Sequence, residues 1–131
     1  MDDATRRRLL GLLGLGVRGR NVLVGVDRVR EAVKSGTIRV AVVAQDASHN
    51  SREKIEGLLK AKEVPTFWVP SAAELGEVAG RESTTVIGTH VFYREARTAA
   101  ESPQRKTFVE RLNLFADWVS ERARTRALAL R

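Results

Sequence analysis

The sequence contains no cysteine. That excludes a disulfide scaffold, a cysteine-ligated zinc finger and thiol catalysis, and it suits a reducing, cytoplasmic compartment. No apolar run approaches the roughly 20 residues that a membrane span needs, so no membrane partner is expected. Only two histidines occur, His49 and His90. No phosphate-binding loop, paired-carboxylate pattern or metal-ligand spacing is present, so neither a cofactor nor a metal is expected. Internal repeats and low-complexity tracts are also missing. Arg6-Arg7-Arg8 followed by Leu9 to Val17 imitates a signal peptide. Glycines interrupt that run, Asp2-Asp3 precede it and no small-residue cleavage site follows, so it reads as mature sequence. Gly11, Gly14 and Gly16 give G-x-x-G-x-G, which is not the dinucleotide order and follows no strand; it reads as a helix end.

The chain does have the means to build a core. It has 131 residues, 43% apolar and 30% charged, which fits one globular domain with a tail. The net charge is +7, and its distribution is uneven. Residues 1–20 hold five Arg against two Asp. Residues 21–96 balance ten basic against ten acidic side chains, and residues 97–131 hold eight basic against four acidic. A neutral centre between basic ends suits a domain whose ends meet a polyanion, although solvated helix surfaces produce the same pattern.

Leu9, Leu10, Leu12 and Leu13 predict a helix from Arg6 to about Leu15, ended by Gly14-Leu15-Gly16. Asn21 to Val24 is a short β-prone run closed by Gly25. Val26, Val29, Ala32 and Val33 recur on one helical face, and Ser35-Gly36 stops that helix. Ile38 to Ala44 is nearly continuous apolar sequence, expected as a strand buried on both faces. A polar loop over 45–50 follows, then a helix marked by Ile55, Leu58 and Leu59 to about Lys62. Val64 to Val69 predicts a second buried strand, with Pro65 at its start. Ser71 and Glu74 form a capping box for a short helix ended by Gly80. Thr84 to Gly88 is a further strand. Helix and strand thus alternate four times, implying a three-layer α/β/α sandwich around a mainly parallel or mixed four-stranded sheet.

The texture changes after Arg97, so the domain is placed at 1–97 and a helical extension at 98–131. Ser102 and Pro103 suit an N-cap and first helical position. Phe108, Leu112, Phe115 and Val119 then form an amphipathic stripe, flanked by Val109 and Ala116 on one side and Leu114 and Trp118 on the other. Residues 104–125 are expected to pack on their own domain, or to form a homodimer seam or partner surface. Asp46, Ser48 and His49 superficially suggest a triad. Residues this close in one loop seldom align, and turn hydrogen bonds explain them better. No catalytic residue is assigned.

The stretch Gly25-Val26-Asp27-Arg28-Val29-Arg30-Glu31-Ala32-Val33-Lys34-Ser35-Gly36, the strand Arg39 to Ala44, Asp46-Ala47-Ser48, Val64-Pro65, and Val69-Pro70-Ser71 leading to Glu74-Leu75-Gly76 and Gly80 occur in that order. Together they resemble the ribosomal protein family of the L-seven-Ae and L-thirty-e type, over roughly residues 9–96. Leu13-Gly14-Leu15 resembles the opening of its small bacterial branch, encoded among translation genes. The resemblance implies an α/β/α sandwich that binds kink-turn or ribosomal RNA without cofactor or catalysis, in association with the ribosome. By that likeness RNA meets two edges, Gly25 to Glu31 and Val69 to Ala72. Gly25 admits close backbone approach, and the following helix start points N–H groups at acceptors. Val69 and Pro70, beside Ser71, are expected to pack against a splayed base.

Family kink-turn binders carry Asn-Glu and, three residues later, Lys along this helix; here Asp27, Arg28 and Glu31 stand instead. Asp27 cannot donate as Asn does. Arg28 can chelate guanine or neutralise phosphate, and Glu31 repels phosphate. Arg18, Arg20 and Lys34 are then expected as phosphate contacts. Two other roles fit the same fold: an RNA-recognition subunit for an RNA-modifying enzyme, and a protein-interaction module using the C-terminal helix.

Overall fold

A computed structural model describes residues 2–90 together with Arg111 and Leu114. Its elements are α1 (Asp3–Arg18), β1 (Val22–Val24), α2 (Val26–Lys34), β2 (Ile38–Ala44), α3 (His49–Ala61), β3 (Thr66–Val69), α4 (Ala72–Val78) and β4 (Val86–His90). The alternation expected from the sequence is present. The first helix is longer than expected at both ends. Asp2 caps it by accepting from the Thr5 N–H at 2.8 Å. It runs through Gly14 and Gly16 and closes at Gly19. Glycine costs a helix interior about 1 kcal/mol relative to alanine. Here the buried face of Leu9, Leu12, Leu13 and Gly16 continues past those glycines, and tertiary packing overrides the local propensity. The three-glycine pattern is thus helix interior rather than helix end.

The strand order is β1-β4-β2-β3. β2 pairs with β3 in parallel, while β4 runs antiparallel to both β1 and β2. The sheet is therefore mixed: β1, β2 and β3 share a direction and β4 opposes it. The reversal arises after α4, which has only seven residues. Gly80 adopts φ +71°, and the Thr84 N–H donates to the Ala72 carbonyl at 3.0 Å. The chain is thus returned to the start of α4, the end of the sheet where β3 finished, and β4 must enter from there. Alternating helices and strands predict the layers but not this turn-back.

Val40, Val42 and Ala44 of β2 join Val69 and Ile87 beneath α1 and α4. Ala41, Val43 and Val86 face α2 and α3 on the other side. This alternation makes β2 the fully buried central strand that its apolar run predicts. β3 is instead an edge strand, half-buried except at Val69. An irregularity in the β2–β4 register falls between Ile38 and Val40, leaving Arg39 as the extra residue. It turns Ile38 onto the α2–α3 face, where strict alternation would have put it on the other.

Candidate nucleic-acid interface

Gly25 links β1 to α2 with φ +101° and ψ 155°, a conformation that favours glycine. Its N–H donates to the Val86 carbonyl at 3.0 Å, and its carbonyl accepts from the Val29 N–H at 3.1 Å. No side chain caps α2. The helix start therefore presents backbone N–H groups and the positive end of its dipole outward. A Cβ built on Gly25 would lie 3.6 Å from Nη1 of Arg81. The exposed Arg81 guanidinium thus stands beside this helix start. Downstream, Asp27, Arg28, Glu31 and Ser35 frame a shallow groove of about 560 Å³ over Leu23 and Ala32. Its charges are mixed, and Lys34 Nζ lies 3.8 Å from the Glu31 carboxylate.

The residues expected to contact RNA fall into three groups. Gly25, Asp27, Arg28 and Glu31 lie together along the first turns of α2. Arg18, Arg20 and Lys34 lie at the other end of the sheet. Arg18 and Arg20 precede β1, and α2 carries Lys34 back over nine residues, about 13 Å. Arg20 holds a left-handed backbone with φ +58°. Val69, Pro70 and Ser71 share the Gly25 end of the sheet but leave from the opposite edge, three strand spacings or about 14 Å away.

That third group is committed to structure. Val69 is fully buried, so it supports its loop from beneath and offers no face to a base. Ser71 Oγ accepts from the Glu74 N–H at 3.1 Å, and the Ala72 N–H donates to Asp46 Oδ1 at 2.6 Å. Pro70 alone is exposed. The reciprocal half of the expected capping box is replaced, because the Glu74 carboxylate pairs with Arg6 of α1. The loop that does adjoin Gly25 is 81–85, which no sequence motif marks. Its signal was weak: a single arginine after a helix-ending glycine, with no periodicity around it.

The triad-like residues go separate ways. Asp46 holds the Ala72 N–H, Ser48 caps α3 by accepting from the Ser51 N–H at 3.2 Å, and His49 lies 3.7 Å from Glu53. Among the described residues no helix is long and apolar enough to cross a membrane. The stripe of Phe108, Leu112, Phe115 and Val119, with most of 104–125, lies outside the described residues. Leu114, expected on its flank, is exposed.

Comparison with known proteins agrees with this architecture. A protein named RNA-binding protein YlxQ from Bacillus subtilis (strain 168) is 33% identical over 76 residues, covering 58% of this chain and 76% of that protein. Its namesake from Enterococcus faecium is 27% identical over 81 residues, covering 62% and 79%. Among solved structures, the Giardia lamblia 15.5kD RNA binding protein superposes with TM-score 0.65 at 16% identity, covering 88% of this chain and 92% of that one. A Bacillus halodurans protein of unknown function gives 0.58 at 23% identity, covering 79% and 95%. The model of the ribosomal protein L7Ae/L30e/S12e/Gadd45 family matches residues 8–99, and the chain belongs to that family.

Proposed function

We propose that this chain binds structured RNA of the kink-turn or ribosomal type, without catalysis, as a ribosome-associated protein of the cytoplasm. The observation that carries the reading is the uncapped start of α2, opened by Gly25 and flanked by Arg81. A helix start of this kind offers N–H donors and positive potential to phosphate or base acceptors. Arg28, one turn in, is exposed and adds a planar donor fork suited to guanine or phosphate. The printed names of the YlxQ relatives and of the Giardia structure support RNA as the ligand class. The fold supplies the platform, and Arg28 and Arg81 supply the contacts.

The test is a titration of the full chain against one kink-turn hairpin and one plain duplex, with Arg28→Ala and Arg81→Ala alongside. Arg28→Ala weakens kink-turn binding by about 1–3 kcal/mol where the guanidinium grips a guanine edge. A loss equal on both RNAs assigns Arg28 to the backbone. Absence of binding to either RNA overturns the reading.

A further inference from the structure

The strand order ends on β3, which makes it one outer edge of the sheet. Its ladder with β2 fixes where each backbone group points. The Ala41 N–H donates to the Pro65 carbonyl at 3.0 Å, and the Gln45 N–H donates to the Val69 carbonyl at 2.8 Å. Backbone groups alternate in direction along a strand, so residues 65, 67 and 69 face β2 while Thr66 and Trp68 face outward. Among the described residues no hydrogen bond reaches the N–H or carbonyl of either. The neighbouring outward positions need no partner. The Val64 carbonyl accepts from Thr66 Oγ1 at 2.9 Å, the Val64 N–H donates to the Leu59 carbonyl at 3.0 Å, and Pro70 has no N–H to offer. Between Val64 and Pro70 the edge thus carries four open groups, two N–H and two carbonyls. Exposed edges are commonly guarded by charged side chains, and β3, with sequence TFWV, has none.

We propose that β3 pairs with itself: a second copy of this chain docks on it antiparallel about a twofold axis, joining two four-stranded sheets into one. Thr66 then lies opposite the partner's Trp68, and Trp68 opposite the partner's Thr66. Each such pair exchanges two hydrogen bonds, so every open group of both edges is used. Other twofold registers fail. Thr66 opposite the partner's Thr66 sets Trp68 against the partner's Val64, whose groups are taken. Trp68 opposite the partner's Trp68 sets Thr66 against the partner's Pro70, which has no N–H. A twofold normal to the sheet keeps α3 of both copies on one face. The half-buried Trp68 packs on that face, and the partner's Thr66 extends its cover. The ladder suits a preformed strand rather than a flexible peptide. Ordering a free segment costs about as much as so few hydrogen bonds return, whereas a strand held in its own sheet has met that cost. Gly25 follows β1, the opposite edge strand, so the pairing leaves the start of α2 uncovered and is independent of RNA binding.

The experiment is sedimentation equilibrium on the full chain from about 10 µM to about 1 mM, the range in which a small interface associates. The mass rises from monomer toward dimer. Thr66→Pro removes an outward N–H that the monomer does not use, and it holds the chain monomeric at every concentration. An unchanged melting temperature at the lowest concentration shows that its fold is intact; where it melts early, the cysteine variants below decide alone. They read the register, since the chain has no cysteine of its own. The twofold sets Phe67 opposite the partner's Phe67 with Cα atoms about 4.5 Å apart, within disulfide reach. Phe67→Cys therefore cross-links on mild oxidation. Thr66→Cys, about 7–8 Å from its own counterpart, does not. A monomer at every concentration overturns the pairing. A dimer that a folded Thr66→Pro leaves intact overturns β3 as its interface. Cross-linking of Thr66→Cys in place of Phe67→Cys overturns the register. Binding of a synthetic peptide of residues 64–70 to a chain that stays monomeric assigns the edge to a flexible partner instead.

Discussion

Thr89 shows how a single hydroxyl completes the sheet. The irregularity at Arg39 disturbs the ladder beside Val40. The buried Thr89 Oγ1 accepts from the Val40 N–H at 3.1 Å and lies 3.3 Å from the Val40 carbonyl as a donor. Thr89→Val keeps the shape and removes both bonds, leaving buried backbone groups unmatched. A loss of about 1–3 kcal/mol is expected, read as a lower urea midpoint with an unchanged slope. Glu31 is the residue-scale counterpart in the candidate interface. It sits one helical turn after Asp27 and lines the α2 groove, so its carboxylate opposes phosphate there. Glu31→Lys is expected to tighten kink-turn RNA binding in a titration, and unchanged affinity would place the RNA off this face. Neither Thr89 nor Arg81 was legible in the sequence as anything but a polar residue near a strand. Their roles depend on partners far along the chain, Val40 for one and Gly25 for the other. The helix start after Gly25, with Arg28 in its first turns, was legible because a glycine before a helix and a cation within it are local features.

At the scale of elements, the helices were legible from their apolar periodicity and the central strand from its nearly unbroken apolar run. β2 was bounded as Ile38–Ala44 from its apolar run alone. The direction of β4 was not, because it depends on how the chain leaves α4. That departure rests on Gly76. A Cβ built there would lie 2.5 Å from the Ser83 Cα, so the returning segment runs against bare helix backbone. Gly76→Ala should therefore behave opposite to its helix propensity. Propensity alone favours alanine by up to about 1 kcal/mol. The clash is with backbone, and overpacking of this kind costs about 1–3 kcal/mol. A lowered melting temperature is expected, together with weaker RNA binding, since Ser83 belongs to the same loop as Arg81. An unchanged or raised melting temperature would show that segment 81–85 is not held by α4.

For the whole molecule, the decisive question is whether the basic ends act with the α2 surface or merely keep the chain in solution. Each cation that displaces a counterion from duplex RNA adds to the slope of log affinity against log salt, about 0.9 by analogy with duplex DNA and about 0.7 on a single strand. Arg28 and Arg81 together therefore give a slope of about 2 for a blunt kink-turn hairpin. Lys34 adds little, because it lies at the far end of α2 and is paired with Glu31. An RNA extended far enough to reach Arg18 and Arg20, which precede β1, would add two contacts, raising the slope to about 4. The excess charge sits at the two ends of the sequence, of which the described fold holds chiefly the N-terminal one. α1 lies across the sheet from α2, so one short RNA element does not reach both surfaces. The expected outcome of a salt series is thus two slopes from one protein, shallow for the blunt hairpin and steep for the extended RNA. A shallow slope for both would confine RNA to the start of α2, and a steep slope for the blunt hairpin would mean that the RNA wraps the edge strand β1 to engage Arg18 and Arg20.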